Sequence, residues 1–418
     1  MRSRVTTAGA MIATVLITGA CSTKAADSDG ASKGDVKTDV GVDDKEIHLG
    51  ILTDLSGPYK ANGLAASNGT QIWADKVNAD GGICGRKIAL DVKDHGYKAD
   101  NAVSLYSTMK DSVLGIANIV GTPIVAALKS QVDTDGMLAT VVITGSNALD
   151  TQSLFTVTAT YDIEAINGLS YLQKEGKLAD GDKVGVIYLD NEAGQNTLSG
   201  VKHYGDKHSL DITGVPVSAT DTDMTSVVTK MKSEGVKLLV ANVSSATIGS
   251  VGVALQDQSL DVPILAASPS FSPALVANKQ VMDALASHYY ESVGVAPYAS
   301  DGENAQIVEK AYEKMGQSDI PSPHINLGYL SGLAWQATLE QACKDGDLTR
   351  AGIKAAQKKV TDIDTGGLSG NLDLSVPGAS PTRETFIQQL DPSSPEGLKI
   401  VSDRFVSDEA NDYKFPNA

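Results

Sequence analysis

The chain has 418 residues, 42% of them hydrophobic, enough for two or three ordinary domain cores. Its formal net charge of −17 excludes the basic footprint that nucleic acid requires. Aromatics at 5% and 40 glycines suit an α/β protein with many tight turns better than an aromatic-rich β-sandwich.

Residues 1–21 read as a targeting segment. Arg2 and Arg4 form a positive start, Ala8 to Ile17 an apolar stretch, and Thr18-Gly19-Ala20 a small-residue run before Cys21. The layout resembles a bacterial lipoprotein signal, which makes Cys21 the lipid-bearing first residue of the mature chain. Thr18 stands where that signal usually has leucine. Residues 22–44 are polar and read as a flexible tether. No later run is long and apolar enough to cross a bilayer, so the remainder is expected to be soluble outside the cytoplasm.

The strand Ile47 to Leu52 is apolar like a parallel strand covered on both faces. The turn Thr53 to Tyr59 follows, then a helix with Ala65, Gly69, Ile72, Trp73 and Val77 at helical spacing, stopped by Gly81-Gly82. A unit of this kind brings a strand C-terminus and a helix N-terminus to one edge, where open α/β sheets bind ligands. Lys87 to Val92, Gly115 to Val120 and Ala139 to Ile143 repeat it, with Lys93-Asp94-His95-Gly96, Gly121-Thr122-Pro123 and Thr144-Gly145-Ser146-Asn147 as their polar turns. From Phe155 the pattern restarts. A helix opens at Tyr161-Asp162, and strands are expected at Lys183–Leu189, Leu210–Val215, Lys237–Val243 and Pro263–Ala267. Asp190-Asn191-Glu192-Ala193-Gly194 and Ser268-Pro269-Ser270 follow two of these. Two similar lobes result. Later come a strand in Ser287–Val295, helices at Glu303–Met315, Leu327–Ala342 and Thr349–Val360, and a tail of short β-like pieces from Gly366. These late elements are expected to be shared between the lobes.

With Cys21 assigned to lipid, Cys84 and Cys343 remain. Each lies at the C-terminal end of a helix that starts at the ligand edge. Both therefore sit at the opposite edge, and a disulfide is expected there, worth ~3–5 kcal/mol for a long closed loop.

The stretches SGPYKANG, NADGGICGRKI, DVKDHG, DNEAG, GYLSGLAWQA and SGNLDLS, in this order, resemble the leucine/isoleucine/valine-type solute-binding proteins of ABC importers. The resemblance covers essentially the whole chain after the tether. It implies two Rossmann-like doubly wound lobes joined by three crossovers and closing like a clamshell. Residues 45–160 plus 294–365 would form the first lobe, and 161–293 plus 366–418 the second. It also implies a monomer tethered outside the cell membrane that delivers a small solute to an ABC permease.

By the same resemblance, Thr122, Thr144 and Ser146, with Gly121 and Gly145, would hold a ligand carboxylate, and Tyr329 would line the cleft. Tyr59, Asn62, Tyr161, Asn191 and Phe271 are further wall candidates. Members that bind α-amino acids hold the ammonium with a second-lobe carboxylate where this chain has Ser268. An unpaired buried ammonium is costly. Either another acid, such as Asp162 or Glu192, substitutes, or the solute lacks an amine, as in a small organic or aromatic acid or amide. A ligand sensor of the same fold is the alternative to an importer subunit. Catalysis is not expected: the six histidines fall in no metal-spaced set, and no G-x-S-x-G, P-loop or G-x-G-x-x-G is present. His95 beside Asp94 is the nearest approach to a catalytic base. No metal or cofactor is expected.

Overall fold

The computed structural model describes residues 36–416 except Ile143 and Ser318. The signal segment, Cys21 and most of the tether lie outside the described residues. Among these residues no helix is long and apolar enough to cross a membrane.

A short strand, β1 (Lys37–Thr38), precedes the first sheet. That sheet consists of β2 (Glu46–Thr53), β3 (Lys87–Asp94), β4 (Gly115–Ile119), β5 (Ala139–Val141) and β6 (Leu154–Phe155). Its spatial order is β3-β2-β4-β5-β6, with every pairing parallel. The second sheet begins with β7 (Lys183–Leu189), β8 (Asp211–Val217), β9 (Leu238–Asn242), β10 (Ile264–Ala267) and β11 (Tyr289–Val293). Then β12 (Asp347–Leu348) pairs in parallel with β1. The chain's last strands, β13 (Thr385–Leu390) and β14 (Leu398–Phe405), join the second sheet in antiparallel fashion. The full order there is β14-β13-β11-β10-β9-β7-β8.

Burial explains the sequence pattern. Strands β4 and β9 are buried at every residue, as continuous apolar strands between helical layers must be. Edge strands β3 and β8 leave alternate or scattered positions exposed. The helices Glu303–Lys314, Pro323–Asp345 and Arg350–Gln357 pack into the core of the first lobe, while β13 and β14 widen the second sheet. The late elements thus serve both lobes.

Several boundaries depart from the pattern reading. The strand expected over Ala139–Ile143 ends at Val141, and the strand expected over Leu210–Val215 runs from Asp211 to Val217. The largest departure is the late helix, which begins at Pro323, a turn before Leu327, because Ser322 and Pro323 supply an extended N-cap and a proline in the first turn. It also runs on to Asp345, past Cys343.

That helix crosses the Lys60–Ala79 helix at a glycine contact. A Cβ on Gly69 would stand 1.9 Å from the Ile325 carbonyl oxygen, and one on Gly328 would stand 1.9 Å from that of Ala66. Such approach is possible only without side chains. Thr70 adds a hydroxyl hydrogen bond to the Gly328 carbonyl at 3.1 Å. Below the crossing, Trp335 donates its indole N–H to Thr140 at 2.8 Å, and Trp73 donates to Gln336 at 3.2 Å. The disulfide Cys84–Cys343, with a Cα separation of 6.1 Å, ties the far ends of the same two helices.

Candidate functional site

The C-terminal ends of the parallel strands in both sheets converge on one cleft, which holds about 560 Å³ of empty space including its open mouth. From the first lobe come Tyr59, Asn62 and Ala66 after β2, Tyr97 after β3, Ile119 to Thr122 at the end of β4, and Val142 after β5. His324 and Leu327 enter from the start of the late helix. Across from them stand Tyr161, Leu189 and Ala193 near β7, Asn242 at the end of β9, and Pro269 after β10. This is the crevice that open α/β sheets offer to ligands.

The polar groups of the cleft are hydroxyls, amides and one imidazole, and no Lys, Arg, Asp or Glu is among its described lining residues. The Thr122–Thr134 helix starts at the wall, so its positive end favours an anion there. Tyr161, buried, lines the cleft from the lobe opposite Thr122, and burial raises its hydroxyl well above its ordinary range. Tyr59 and Tyr97 pack ring against ring, 4.8 Å between centroids, and burial raises both hydroxyls. Burial pushes His324 down to about 4, so its ring is neutral near pH 7.

Of the residues expected from sequence, Thr122, Tyr59, Asn62 and Tyr161 line the cleft together with Gly121. The others lie elsewhere. Thr144 is fully buried, and its hydroxyl has no hydrogen-bond partner among the described residues. Ser146 donates to Asp162, which also accepts from Thr160 and, at 3.1 Å, from Asn196. Asn191 caps the Glu192–His208 helix by accepting from the amides of Ala193 and Gly194 at 3.0 and 3.2 Å. Tyr329 is buried in the first-lobe core, its hydroxyl pushed up to about 12 by burial. Phe271 is buried in the second-lobe core, although its carbonyl faces Asn62. Ser268 is bound to Glu164, a buried acid that the sequence reading did not single out. Asp162 is enclosed by its own hydrogen bonds, whereas Glu192 keeps one buried oxygen, Oε2, without a partner among the described residues.

His324, Tyr97 and Asn242 are the polar lining residues that sequence reasoning missed. For His324 a signal exists: Ser322-Pro323 marks a helix start two residues before it. His95, by contrast, is fully buried and accepts the Tyr97 amide on Nδ1 at 3.0 Å, a turn-stabilising role. Among the described residues no cluster of His, Cys, Asp or Glu could hold a metal ion.

Two doubly wound lobes presenting strand ends to a common cleft define a two-lobed solute-binding protein. A family model described as periplasmic binding protein matches residues 46–395, and the chain belongs to that family. A fatty acid ABC transporter substrate-binding protein from Thermomonospora curvata is 31% identical, with a TM-score of 0.87, covering 91% of this chain and 97% of that one. A branched-chain amino acid ABC transporter protein from Thermus thermophilus with bound valine superposes with a TM-score of 0.77 at 15% identity, over 88% of this chain and 98% of that one. In sequence, Leu/Ile/Val-binding protein homolog 3 of Brucella melitensis is 24% identical over 225 residues, which is 53% of this chain and 60% of that protein. The chain thus spans less than two thirds of that relative's length. These are non-enzymatic solute-binding proteins, and the leucine/isoleucine/valine-type resemblance holds.

Proposed function

We propose that this protein is the lipid-anchored solute receptor of an ABC importer and that its solute is a carboxylic acid or amide with an apolar body and no amine. The observation that carries this reading is the uncharged lining of the cleft. A carboxylate is served there by hydroxyls and a helix N-terminus, each dipole contribution being about 0.3–2 kcal/mol. An ammonium in the same place would have no opposite charge. The similarity to a protein described as a fatty acid ABC transporter substrate-binding protein points the same way.

Capture follows from the two-lobe geometry. Tyr161 on one lobe and Thr122 on the other both line the cleft, so groups from both sides close over one solute. A solute that touches both lobes favours the closed state by its differential contacts, and the closed form docks on the permease. Lipid on Cys21 and the tether keep the receptor on the outer face of the membrane as a monomer.

A second reading rests on Glu192, whose buried Oε2 lacks a partner among the described residues and whose neighbour Ala193 lines the cleft. An amine-bearing solute would use that oxygen. A thermal-shift screen with octanoate, 4-hydroxybenzoate, octanamide, valine and leucine decides between them. Stabilisation by the first three is expected; stabilisation by valine or leucine alone overturns the amine-free assignment. Labelled palmitate on the full chain but not on the Cys21→Ser variant tests the anchor. Loss of solute uptake on gene deletion separates import from sensing.

A further inference from the structure

Asn62 and His324 enter the cleft from the first turns of the two crossing helices, and each is more than nine-tenths buried. The Asn62 amide nitrogen lies 3.1 Å from His324 Nε2 and 3.5 Å from the carbonyl oxygen of Phe271, on the opposite lobe. The Phe271 carbonyl fixes which end of the amide faces it, since the reverse orientation would set two acceptor oxygens against each other. An amide nitrogen only donates, so Nε2 accepts. A neutral imidazole then carries its proton on Nδ1. That atom is buried and has no hydrogen-bond partner among the described residues, a costly state for a donor.

We propose that His324 is a specificity-determining residue of the cleft, its Nδ1–H donating to an acceptor oxygen of the solute, with Asn62 as the positioning residue that sets the tautomer and links the lobes through Phe271. The proposal deepens the assignment of this cleft as a receptor site for an amine-free acid or amide and rests on it. A carboxylate or carbonyl oxygen satisfies the donor. An ammonium at the same point would set donor against donor.

The test uses the purified full chain and a tail-matched set of probes, octanoate, octanamide and octylamine, with leucine as a control. Asparagine places a side-chain nitrogen near the position of imidazole Nδ1, and glutamine near that of Nε2. The expected result is tight octanoate binding by wild type and a loss of about 10- to 100-fold in His324→Phe, the range for a hydrogen bond to a charged group. Binding is retained within about fivefold in His324→Asn and lost in His324→Gln. Equal affinity in His324→Phe and wild type overturns the proposal, as does rescue by glutamine rather than asparagine. Binding of leucine alone by wild type overturns the solute class, and the same variants measured on leucine then decide the role of His324 separately. Melting curves without probe show whether each variant folds. Whatever binds, a 15N–1H correlation spectrum of the imidazoles reads the tautomer directly, and an Nε2–H assignment for His324 overturns the proposal.

Discussion

Ser268 turns both of its hydrogen-bond donors on one buried acid: its hydroxyl and its backbone amide, the latter at 3.3 Å, are held by the carboxyl of Glu164. The sequence resemblance puts the ammonium-holding carboxylate of amino-acid receptors at this position, and here the position forms a closed pair between β10 and the Tyr161–Lys174 helix. Burial pushes the Glu164 carboxyl up to about 8 despite the serine's hydrogen bonds. Glu291 on β11 is also raised well above its ordinary value, by burial first and then by the Glu164 charge.

Stability should therefore fall as the solution becomes alkaline. An acid whose folded pKa is raised binds its proton in the native state when the unfolded chain has already released it. Its contribution is complete below about 4.5 and is lost as pH rises through about 8. Glu396, also pushed up to about 8 by burial, acts in the same direction. His324 acts oppositely, since its depressed value makes the native state lose stability as pH falls from 6.5 towards 4. Melting temperature should thus peak in mildly acidic solution. The double variant Glu164→Gln, Glu291→Gln should flatten the alkaline arm and gain roughly 1–3 kcal/mol at pH 8.5. An unchanged slope by differential scanning calorimetry would show that these carboxyls ionise freely in the fold.

Thr122 and Tyr161 line the cleft from opposite lobes, so removing either hydroxyl should weaken solute capture without unfolding a lobe. Thr122→Val keeps the side-chain shape, and Tyr161→Phe keeps the ring. Each should raise the Kd for octanoate about 2- to 12-fold, the range for one ordinary hydrogen bond. Isothermal titration calorimetry measures it. Ser146→Ala, which affects the Asp162 network away from the lining, should cost stability more than affinity.

The βα repeat was legible because burial on both faces forces apolar strands and because glycine stops and polar turns mark their ends. Thr122 was legible for the same reason: a turn after a central strand must face the edge where both sheets end. Ser146 is a different case, since a hydroxyl after β5 looks alike whether it meets a solute or Asp162, and Asp162 comes from the other lobe's first helix. Tyr329 and His324 lie five residues apart, and the four-residue earlier start of the late helix decides which of them reaches the cleft. Glu164 was illegible for a further reason: an acid in the first turn of a helix reads as a surface charge favoured by the dipole, and only the packing of β10 and β11 buries it.

The Cys84–Cys343 bond closes a separation of 259 residues, and neither cysteine lines the cleft. Reduction, or the double variant Cys84→Ser, Cys343→Ser, should cost about 2–5 kcal/mol of stability. Octanoate affinity should stay within about twofold, because the bond ties helix ends at the edge remote from the strand C-termini. Chemical denaturation with and without reductant measures the first effect, and calorimetric titration the second. A large loss of affinity would mean that the disulfide, rather than the glycine crossing, sets where Asn62 and His324 stand.

The glycine crossing makes the opposite prediction. A Cβ at position 328 would lie 1.9 Å from the Ala66 carbonyl oxygen, backbone against backbone, so no side-chain rearrangement can relieve it. Gly328→Ala must push the Lys60–Ala79 and Pro323–Asp345 helices apart, at a cost of typically 1–3 kcal/mol or more. The first turns of these helices carry Asn62 and His324, whose 3.1 Å contact depends on that spacing. Affinity should therefore fall together with stability, by about tenfold or more if the hydrogen bond breaks. Gly136→Ala provides the contrast: its positive φ strains an alanine, yet nothing lies within 4 Å of the added Cβ, so it should cost stability and leave affinity intact. Measuring both variants by thermal melting and octanoate titration separates a general loss of stability from displacement of the pair. Equal affinities in the two would refute the link between helix crossing and cleft.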